Sequence, residues 1–262
     1  MAGDYDRVRP GPPDAALDWL VPPHCDVAVD IGAGTGLFTR ALQRRVRQVI
    51  AVEPDDRMRA VLSARSPGVR AVAGRGEAIP VPDASAVGVF VSSAWHWLDP
   101  ARSVPEIARV LRDGARLGVI WTSRDRQVDW VAELDRLRAP RAVRSAHDAR
   151  SQLRHRHEVA LPDAAPFVNA ASASFTFVRT MTVDDAVEWL GTYSGVITAP
   201  AEERAAGLAR GREALLRQAD GAGMIEMPMR SACWRADRAY RPASARPGRL
   251  GGDDSGSQAG SW

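Results

Sequence analysis

The chain has 262 residues, of which 45% are hydrophobic and 26% charged, and it carries a formal net charge of +3. These values are typical of an ordinary globular protein with one sizeable core, and so small a charge gives no reason to expect nucleic acid binding. The two cysteines, Cys25 and Cys233, lie far apart without metal-ligand spacing, and no apolar run approaches membrane-spanning length. We therefore expect a cytoplasmic protein with no metal site and no membrane partner.

Composition divides the chain into three parts. Residues 1–24 are polar and proline-rich, which predicts an N-terminal arm in which Asp14 caps a short helix. Such an arm either folds over a binding cleft or lies on the surface, anchored by Trp19. Residues 25–240 have the patterning of one main domain. Residues 241–262 are rich in Pro, Arg, Gly, Ser and Asp, which predicts a disordered tail.

The strongest local signal is the stretch of residues 27–38, which reads VAVDIGAGTGLF. The apolar residues that end in an acid predict a buried strand, and the alternating glycines predict a tight turn. The amphipathic run that follows predicts the start of a helix. Glycines let the backbone adopt positive φ and approach a ligand closely. The N–H groups at the start of a helix can bind a polar or anionic group.

The spacing of these glycines narrows the class of ligand. A dinucleotide-binding turn needs G-x-G-x-x-G, whereas this turn is G-x-G-x-G and has Leu37 where the last glycine would stand. Asp30 precedes the turn, where it would repel a pyrophosphate but suit a ligand with an ammonium and a sulfonium group. A second predicted strand ends in Glu53, whose carboxylate can accept hydrogen bonds from a ribose diol. Alternatively, the Glu53 side chain caps a helix or is simply exposed to solvent.

Strand and helix patterns then alternate along the rest of the first half. Further strands are predicted at residues 69–73, 86–91 and 117–121, with helices between them. Right-handed crossovers give an α/β fold with a doubly wound parallel sheet, whose switch point lies between the first and fourth strands. Residues 122–165 are predicted to be mostly helical, and residues 175–178 to be a late strand. The last strand, residues 224–235, contains Pro228 and is therefore predicted to be an edge or bulged strand.

Several of these segments resemble the class I, Rossmann-like S-adenosylmethionine-dependent methyltransferases. Residues 29–36 (VDIGAGTG) are similar to motif I of that family, and residues 74–83 (GRGEAIPVPD) and 106–116 (EIARVLRDGAR) to two later family segments. Residues 189–194 (WLGTYS) and 227–236 (MPMRSACWRA) resemble a bacterial type 11 subgroup. The resemblance implies a mostly parallel seven-stranded sheet with an antiparallel last strand and a helical insertion before it. Residues 25–240 would then be the methyltransferase domain.

The same resemblance implies S-adenosyl-L-methionine as the cofactor. The residues it assigns to cofactor binding are Asp30, Gly32, Ala33, Gly34, Gly36, Glu53, Pro54, Gly76, Glu77 and Ser92. The family often has Asp or Thr where this chain has Arg75, so the backbone of Gly76 and Glu77 is the expected adenine contact. His96, which follows the fourth predicted strand, is the candidate catalytic base. The alternative is that His96 packs in a rim between Trp95 and Trp97.

The expected partner is a small-molecule methyl acceptor. The aromatic loop around His96, together with Trp189 and Tyr193, favours a small and partly apolar molecule. The loop after the fourth strand begins Ser92-Ser93 and lacks the pattern of DNA amino-methyltransferases, and neither cysteine follows a proline, so we expect no nucleic acid partner. Two alternatives remain open, which are a catalytically silent protein that binds the cofactor and a nicotinamide-dependent oxidoreductase. Leu37 counts against the oxidoreductase.

Overall fold

The computed structural model describes residue 9, residues 11–138 and residues 159–240. Its helices are α1 Asp14–Leu20, α2 Leu37–Gln43, α3 Asp56–Arg65, α4 Pro100–Val110, α5 Asp129–Arg138, α6 Val183–Gly191, α7 Ser194–Ile197 and α8 Ala201–Leu216. Its strands are β1 Val27–Ile31, β2 Gln48–Val52, β3 Arg70–Val72, β4 Ala86–Ser92, β5 Leu111–Arg124, β6 Phe167–Thr182 and β7 Met224–Arg238. The predicted tail, residues 241–262, lies outside the described residues.

The described strands form one seven-stranded sheet in the order β3-β2-β1-β4-β5-β7-β6. The strands from β3 to β5 are parallel, and β7 runs antiparallel between β5 and β6. The predicted doubly wound, Rossmann-like sheet is therefore confirmed, with its switch point between β1 and β4. Helices α6, α7 and α8 form the predicted insertion before the antiparallel last strand.

Helices cover the central strands on both faces, and the alternation along β1 divides the core in two. Val29 and Ile31 pack on one side of the sheet, in a cluster that includes Ile107 of α4. Ala28 packs on the other side, with Phe38 of α2 among its neighbours. Because both faces are buried, these strands read as nearly continuous apolar runs in the sequence.

The second half of the sheet differs from the sequence prediction in three respects. β6 extends from Phe167 to Thr182, far beyond the predicted residues 175–178, because it is an edge strand whose burial alternates along small polar residues. Residues 111–124 form β5, so the predicted helical region begins only with α5. β7 is an interior strand, and the expectation drawn from Pro228 was wrong. Pro228 lies one residue beyond the last β5–β7 pair, where its missing N–H removes no bond to β5.

The N-terminal arm packs on the core of the sheet and on β7. Leu17 and Leu20 of α1 are fully buried in the core. Asp14 is the first residue of α1 and not its cap, since Pro13 holds the N-cap position. Trp19 lies under the guanidinium of Arg235 on β7, with the guanidinium carbon 4.1 Å from the ring centroid, and Arg235 also donates to the Trp19 carbonyl. The first described helix is thereby fixed to the last strand.

We expect Leu20→Ala to lower the free energy of unfolding by about 2 to 5 kcal/mol, because it leaves a cavity at a fully buried position. Leu216→Ala, at a half-exposed leucine of α8, is the matched control and should change it by less than about 0.5 kcal/mol. Urea unfolding followed by circular dichroism measures both. Equal effects of the two substitutions would contradict the anchoring of α1 in the core.

Candidate active site

The turn between β1 and α2 places three glycines in the left-handed region of backbone space. Gly32, Gly34 and Gly36 have φ values of +67°, +57° and +86°. A Cβ at Gly36 would come within 2.9 Å of Leu62, and one at Gly32 within 2.7 Å of Ala94, so close packing requires glycine at both. A Cβ at Gly34 would meet nothing within 4 Å, because this glycine faces open space. The middle of the turn is thus the part that a ligand can approach.

Glu53 joins this glycine turn to the end of β2. Its Oε2 accepts a hydrogen bond from the Gly34 N–H at 2.8 Å, and its Oε1 accepts one from the Asp55 N–H at 2.9 Å. The side chain is 7% exposed. A carboxylate has about four lone-pair sites, so each oxygen can still accept a further bond from a ligand hydroxyl. Pro54, which separates Glu53 from Asp55 in the chain, is exposed.

Asp30 lies fully buried at the end of β1 and contributes to the wall of the adjoining cleft. Its Oδ2 accepts a hydrogen bond of 2.6 Å from the Thr39 hydroxyl on α2. Its Oδ1 has no hydrogen-bond partner among the described residues. Burial, opposed by the Thr39 hydrogen bond and assisted by the nearby Glu53, raises the pKa of Asp30 to about 7. A buried acceptor of this kind suits a ligand that brings a positive charge or a donor.

A cleft of about 110 Å³ opens at the switch point of the sheet. It is bounded by the glycine turn, the ends of β4 and β5, the helical insertion and the N-terminal arm. The residues that line it are Arg9, Pro12, Asp30, Gly32, Ala33, Gly34, Thr35, Leu37, Phe38, Ser92, Ser93, Thr122, Trp189 and Tyr193. The arm therefore lines the cleft, which was one of its two predicted positions, and Trp19 also anchors the arm.

The structure brings together most of the residues predicted to bind the cofactor. Those that line the cleft are Asp30, Gly32, Ala33, Gly34 and Ser92. Gly36 is the N-cap of α2, and Glu53 contacts the turn directly. Their roles toward a cofactor stay predictions.

Gly76 and Glu77 lie in a tight turn closed by backbone hydrogen bonds between Arg75 and Ala78. Gly76 is buried where an added Cβ would meet Leu98 at 2.7 Å. The Glu77 carboxylate accepts a hydrogen bond of 2.9 Å from the Asp99 N–H, at the start of α4. This turn is outside the cleft lining, so the predicted adenine contact gains no support from the cleft and stays a prediction.

His96 lies in a short 3₁₀ turn, Trp95–Trp97, after β4. Trp95 is buried, Trp97 is exposed, and the His96 ring packs near Trp97 with centroids 4.9 Å apart. His96 does not belong to the residues that line the cleft. Its role as a base stays a prediction, and so does the packed rim between Trp95 and Trp97 that is the alternative.

Sequence reasoning missed Arg9, which lines the cleft, and Arg124, which stacks on two aromatic side chains of the cleft lining. The guanidinium carbon of Arg124, at the end of β5, lies 5.0 Å from the Trp189 ring centroid and 4.9 Å from that of Tyr193. The guanidinium carbon of Arg9 lies 5.2 Å from the Tyr193 ring centroid. The chain is rich in arginine, and only the fold shows which of them stack on cleft aromatics.

Similarity to known proteins agrees with this arrangement. The family model described as a methyltransferase domain matches residues 29–119. An uncharacterized methyltransferase of Mycobacterium tuberculosis is 37% identical over 239 residues, which cover 89% of this chain and 92% of the relative. The chain belongs to the class I methyltransferase family.

This methyltransferase is also similar to a fungal protein and to a bacterial protein of solved structure. A methyltransferase-like protein of Schizosaccharomyces pombe is 29% identical, with 77% of this chain and 78% of that protein covered. A solved structure from Anaeromyxobacter dehalogenans, named for a type II methyltransferase, aligns with a TM-score of 0.63 and 26% identity. That alignment covers 88% of this chain and 97% of the other. Each similarity therefore spans most of both chains.

No cluster of three or more His, Cys, Asp or Glu side chains in residues 11–138 and 159–240 is arranged to hold a metal ion. None of the helices in those ranges has the length and apolar character needed to cross a membrane. Cys25 and Cys233 are buried free thiols, and burial raises the pKa of each to about 12.

The raised pKa of Asp30 predicts a pH dependence of stability. Between about pH 4 and about pH 7 the unfolded chain releases the Asp30 proton while the folded chain keeps it, so rising pH lowers the contribution of Asp30 to stability. Asp30→Asn cannot titrate. We therefore compare the free energy of unfolding of the variant with that of the wild type. The difference, variant minus wild type, should increase from about pH 4 to about pH 7 and stay constant above that.

Urea unfolding at several pH values measures this difference. Asp163→Asn, which removes an exposed carboxylate instead, is the control and should show no comparable rise. A difference for Asp30→Asn that stays constant with pH would contradict the assigned protonation of Asp30.

Proposed function

We propose that this protein transfers the methyl group of S-adenosyl-L-methionine directly to a small-molecule acceptor. The observation that carries the proposal is the open glycine turn held between two carboxylates, one of which, Asp30, has a buried oxygen without a hydrogen-bond partner among the described residues. This turn lies at the switch point of the sheet, where open α/β sheets bind their ligands.

The residues of the cleft fit the proposed cofactor. Oδ1 of Asp30 can accept from, and balance, an ammonium group, and the open side of Gly34 leaves space against the backbone. Glu53 has acceptor capacity left for ribose hydroxyls. When bound, S-adenosylmethionine supplies a methyl group already activated by a sulfonium, so transfer needs no covalent intermediate with the protein. The chain's own residues orient the reactants and exclude water.

Several features support a small acceptor over a macromolecule. The cleft is lined in part by Pro12 of the arm and by Trp189 and Tyr193 of the insertion, whose apolar surfaces suit a small and partly apolar molecule. We propose no nucleic acid or membrane partner, and we propose the cytoplasm as its location. A base is needed only when the acceptor atom carries a proton that is hard to remove, and His96 is the candidate for that case.

Two other functions remain as alternatives. A nicotinamide-dependent oxidoreductase is disfavoured because Leu37 lines the cleft at the position where a dinucleotide turn needs glycine. A catalytically silent protein that binds the cofactor shares the same turn and carboxylates. Only turnover distinguishes that alternative from the enzyme.

Gly34→Asn should raise the Kd for S-adenosylhomocysteine on the order of 100-fold or more, because its side chain would occupy the open space where the ligand lies. Asn tolerates positive φ, and a Cβ at this position meets no protein atom within 4 Å, so the fold should persist. Gly68→Asn is the matched control, since Gly68 also has positive φ and an open Cβ direction but lies in the turn before β3, outside the cleft lining.

Isothermal titration calorimetry of both variants measures the effect. Gly68→Asn should bind within about twofold of the wild type, since it is distant from the site. Unchanged affinity in Gly34→Asn would contradict the placement of the cofactor. Wild-type binding of NAD in place of S-adenosylhomocysteine would favour the oxidoreductase.

Turnover is tested with S-adenosylmethionine labelled in its methyl group, incubated with the protein and a fraction of small metabolites. We expect label in a small product, and no label with Gly34→Asn. Wild-type protein that binds S-adenosylhomocysteine but leaves all label in the donor would support the silent alternative. Label in protein or nucleic acid, with unfractionated extract, would contradict a small acceptor.

A further inference from the structure

We propose that β6 is a dimer interface, at which two copies of this chain pair their β6 strands antiparallel about a two-fold axis at Thr176. The two seven-stranded sheets then form one continuous sheet. No residue of β6 lines the cleft at the glycine turn, so pairing at this edge does not depend on the function proposed above.

The outer edge of β6 offers a long row of main-chain donors and acceptors. β6 is 16 residues long and is the last strand in the order of the sheet, with β7 on its inner side. Residues 171–182 pair with β7 in one unbroken register. Within the described parts of the chain, residues 11–138 and 159–240, no main-chain group bonds to the outer edge of this stretch. A second strand can therefore add to it.

This edge lacks the features that protect exposed strands from pairing, which are shortness, proline, charge and bulges. Between residues 171 and 182 the sequence contains no proline and only one charged residue, Arg179. The register shift of β6 lies before this stretch, between Val168 and Ala171. The opposite edge of the sheet gives the contrast, since β3 has three residues and begins with Arg70. The β3 edge is protected, whereas the β6 edge is open to a partner.

The side chains of β6 are complementary to their own copies in one register. A two-fold axis at Thr176 places Phe175 opposite the second copy's Phe177, and Phe177 opposite that copy's Phe175. Aromatic pairs that lie directly opposite each other stabilise antiparallel strands, as do pairs of threonine. A shift of two residues in either direction would leave one phenylalanine of each copy opposite Ala173 or Arg179. The sequence thus favours the axis at Thr176.

The two phenylalanines supply apolar surface that pairing would bury. Phe175 contacts Trp19, with ring centroids 6.3 Å apart, and Phe177 packs against the apolar cluster of the helical insertion. Both side chains nevertheless stay half-buried, and Val178 on the other face of the strand is 58% exposed. Main-chain hydrogen bonds at an edge replace bonds to water and add little net stability, so burial of this surface is the main driving force.

The size and charge of the interface suit a pair of identical chains. Antiparallel pairing over residues 171–181 forms about ten main-chain hydrogen bonds, which is the number typical of a specific protein interface. Arg179 lies opposite Ala173 in this register and about 20 Å along the strand from the second copy's Arg179, so the two charges are screened from each other. Because the two-fold axis uses the β6 edge of both copies, assembly stops at the dimer.

The experiment is sedimentation of the full-length protein in the analytical ultracentrifuge, at concentrations from about 1 to about 100 μM. At the upper end we expect a mass close to twice the 28.3 kDa of one chain. Thr176→Lys places two lysines directly opposite each other at the axis and should raise the dimer Kd about tenfold or more. Thr176 is exposed, so the fold should persist, which circular dichroism checks.

Thr180→Lys is the matched control. Thr180 is exposed on the same face of β6, but in this register it lies opposite Ser172 and about 27 Å from its own equivalent. The control should leave the dimer Kd within about threefold of the wild type. Thr176→Glu alone should weaken the dimer as Thr176→Lys does, whereas a mixture of the two variants brings opposite charges together and should restore it. Damage to the strand itself would not be reversed by mixing.

Each contrary result has a distinct meaning. A monomeric wild type over the whole range of concentration would overturn the dimer, whether the edge is free or is covered by another part of the chain. A dimer that Thr176→Lys leaves intact would have a different interface and would overturn the role of β6. Equal weakening by Thr180→Lys, or a mixture that stays monomeric, would overturn the axis at Thr176.

Discussion

The cleft depends on the carboxylate of Glu53, which accepts one N–H from the glycine turn and one from the residue that caps α3. These two bonds tie the β1–α2 turn to the β2–α3 turn. They hold Gly34 in place while one side of that glycine stays open. The parallel register, which pairs Asp30 with Ala51, brings the two strand ends level and makes the contact possible. A flexible three-glycine turn thereby becomes a fixed surface.

Sequence reasoning was most successful where the signals are local. The helix expected between the second and third strands is present as α3, because Asp55 caps it through hydrogen bonds from the Arg57 and Met58 N–H groups. Buried parallel strands read as apolar runs, and the order of strands and helices then leaves few topologies. The residues near the glycine turn were found for the same reason, since turn, acid and helix start are consecutive in the chain.

The remainder depends on contacts between distant segments, which no local pattern reports. Arg124 and Trp189 are 65 positions apart, and their stacking exists only because the insertion folds back over the end of β5. β6 was recognised only in part, since an edge strand of alternating small residues has little apolar signal. The prediction drawn from Pro228 was wrong because proline disrupts a sheet only where its missing N–H would have formed a hydrogen bond between strands. Pro228 lies beyond the last β5–β7 pair, so no bond to β5 is lost. His96 was singled out by residue type, which says nothing about the direction of its loop.

The clasp between Trp19 and Arg235 sets an order of events during synthesis. The helix that carries Trp19 leaves the ribosome more than 200 residues before the strand that carries Arg235, since 216 positions separate the two. The clasp therefore cannot form until nearly the whole chain has been made, although the leucines of α1 pack mainly against elements that are made earlier. The cleft lining also includes Trp189 and Tyr193, so it is complete only once synthesis has passed residue 193.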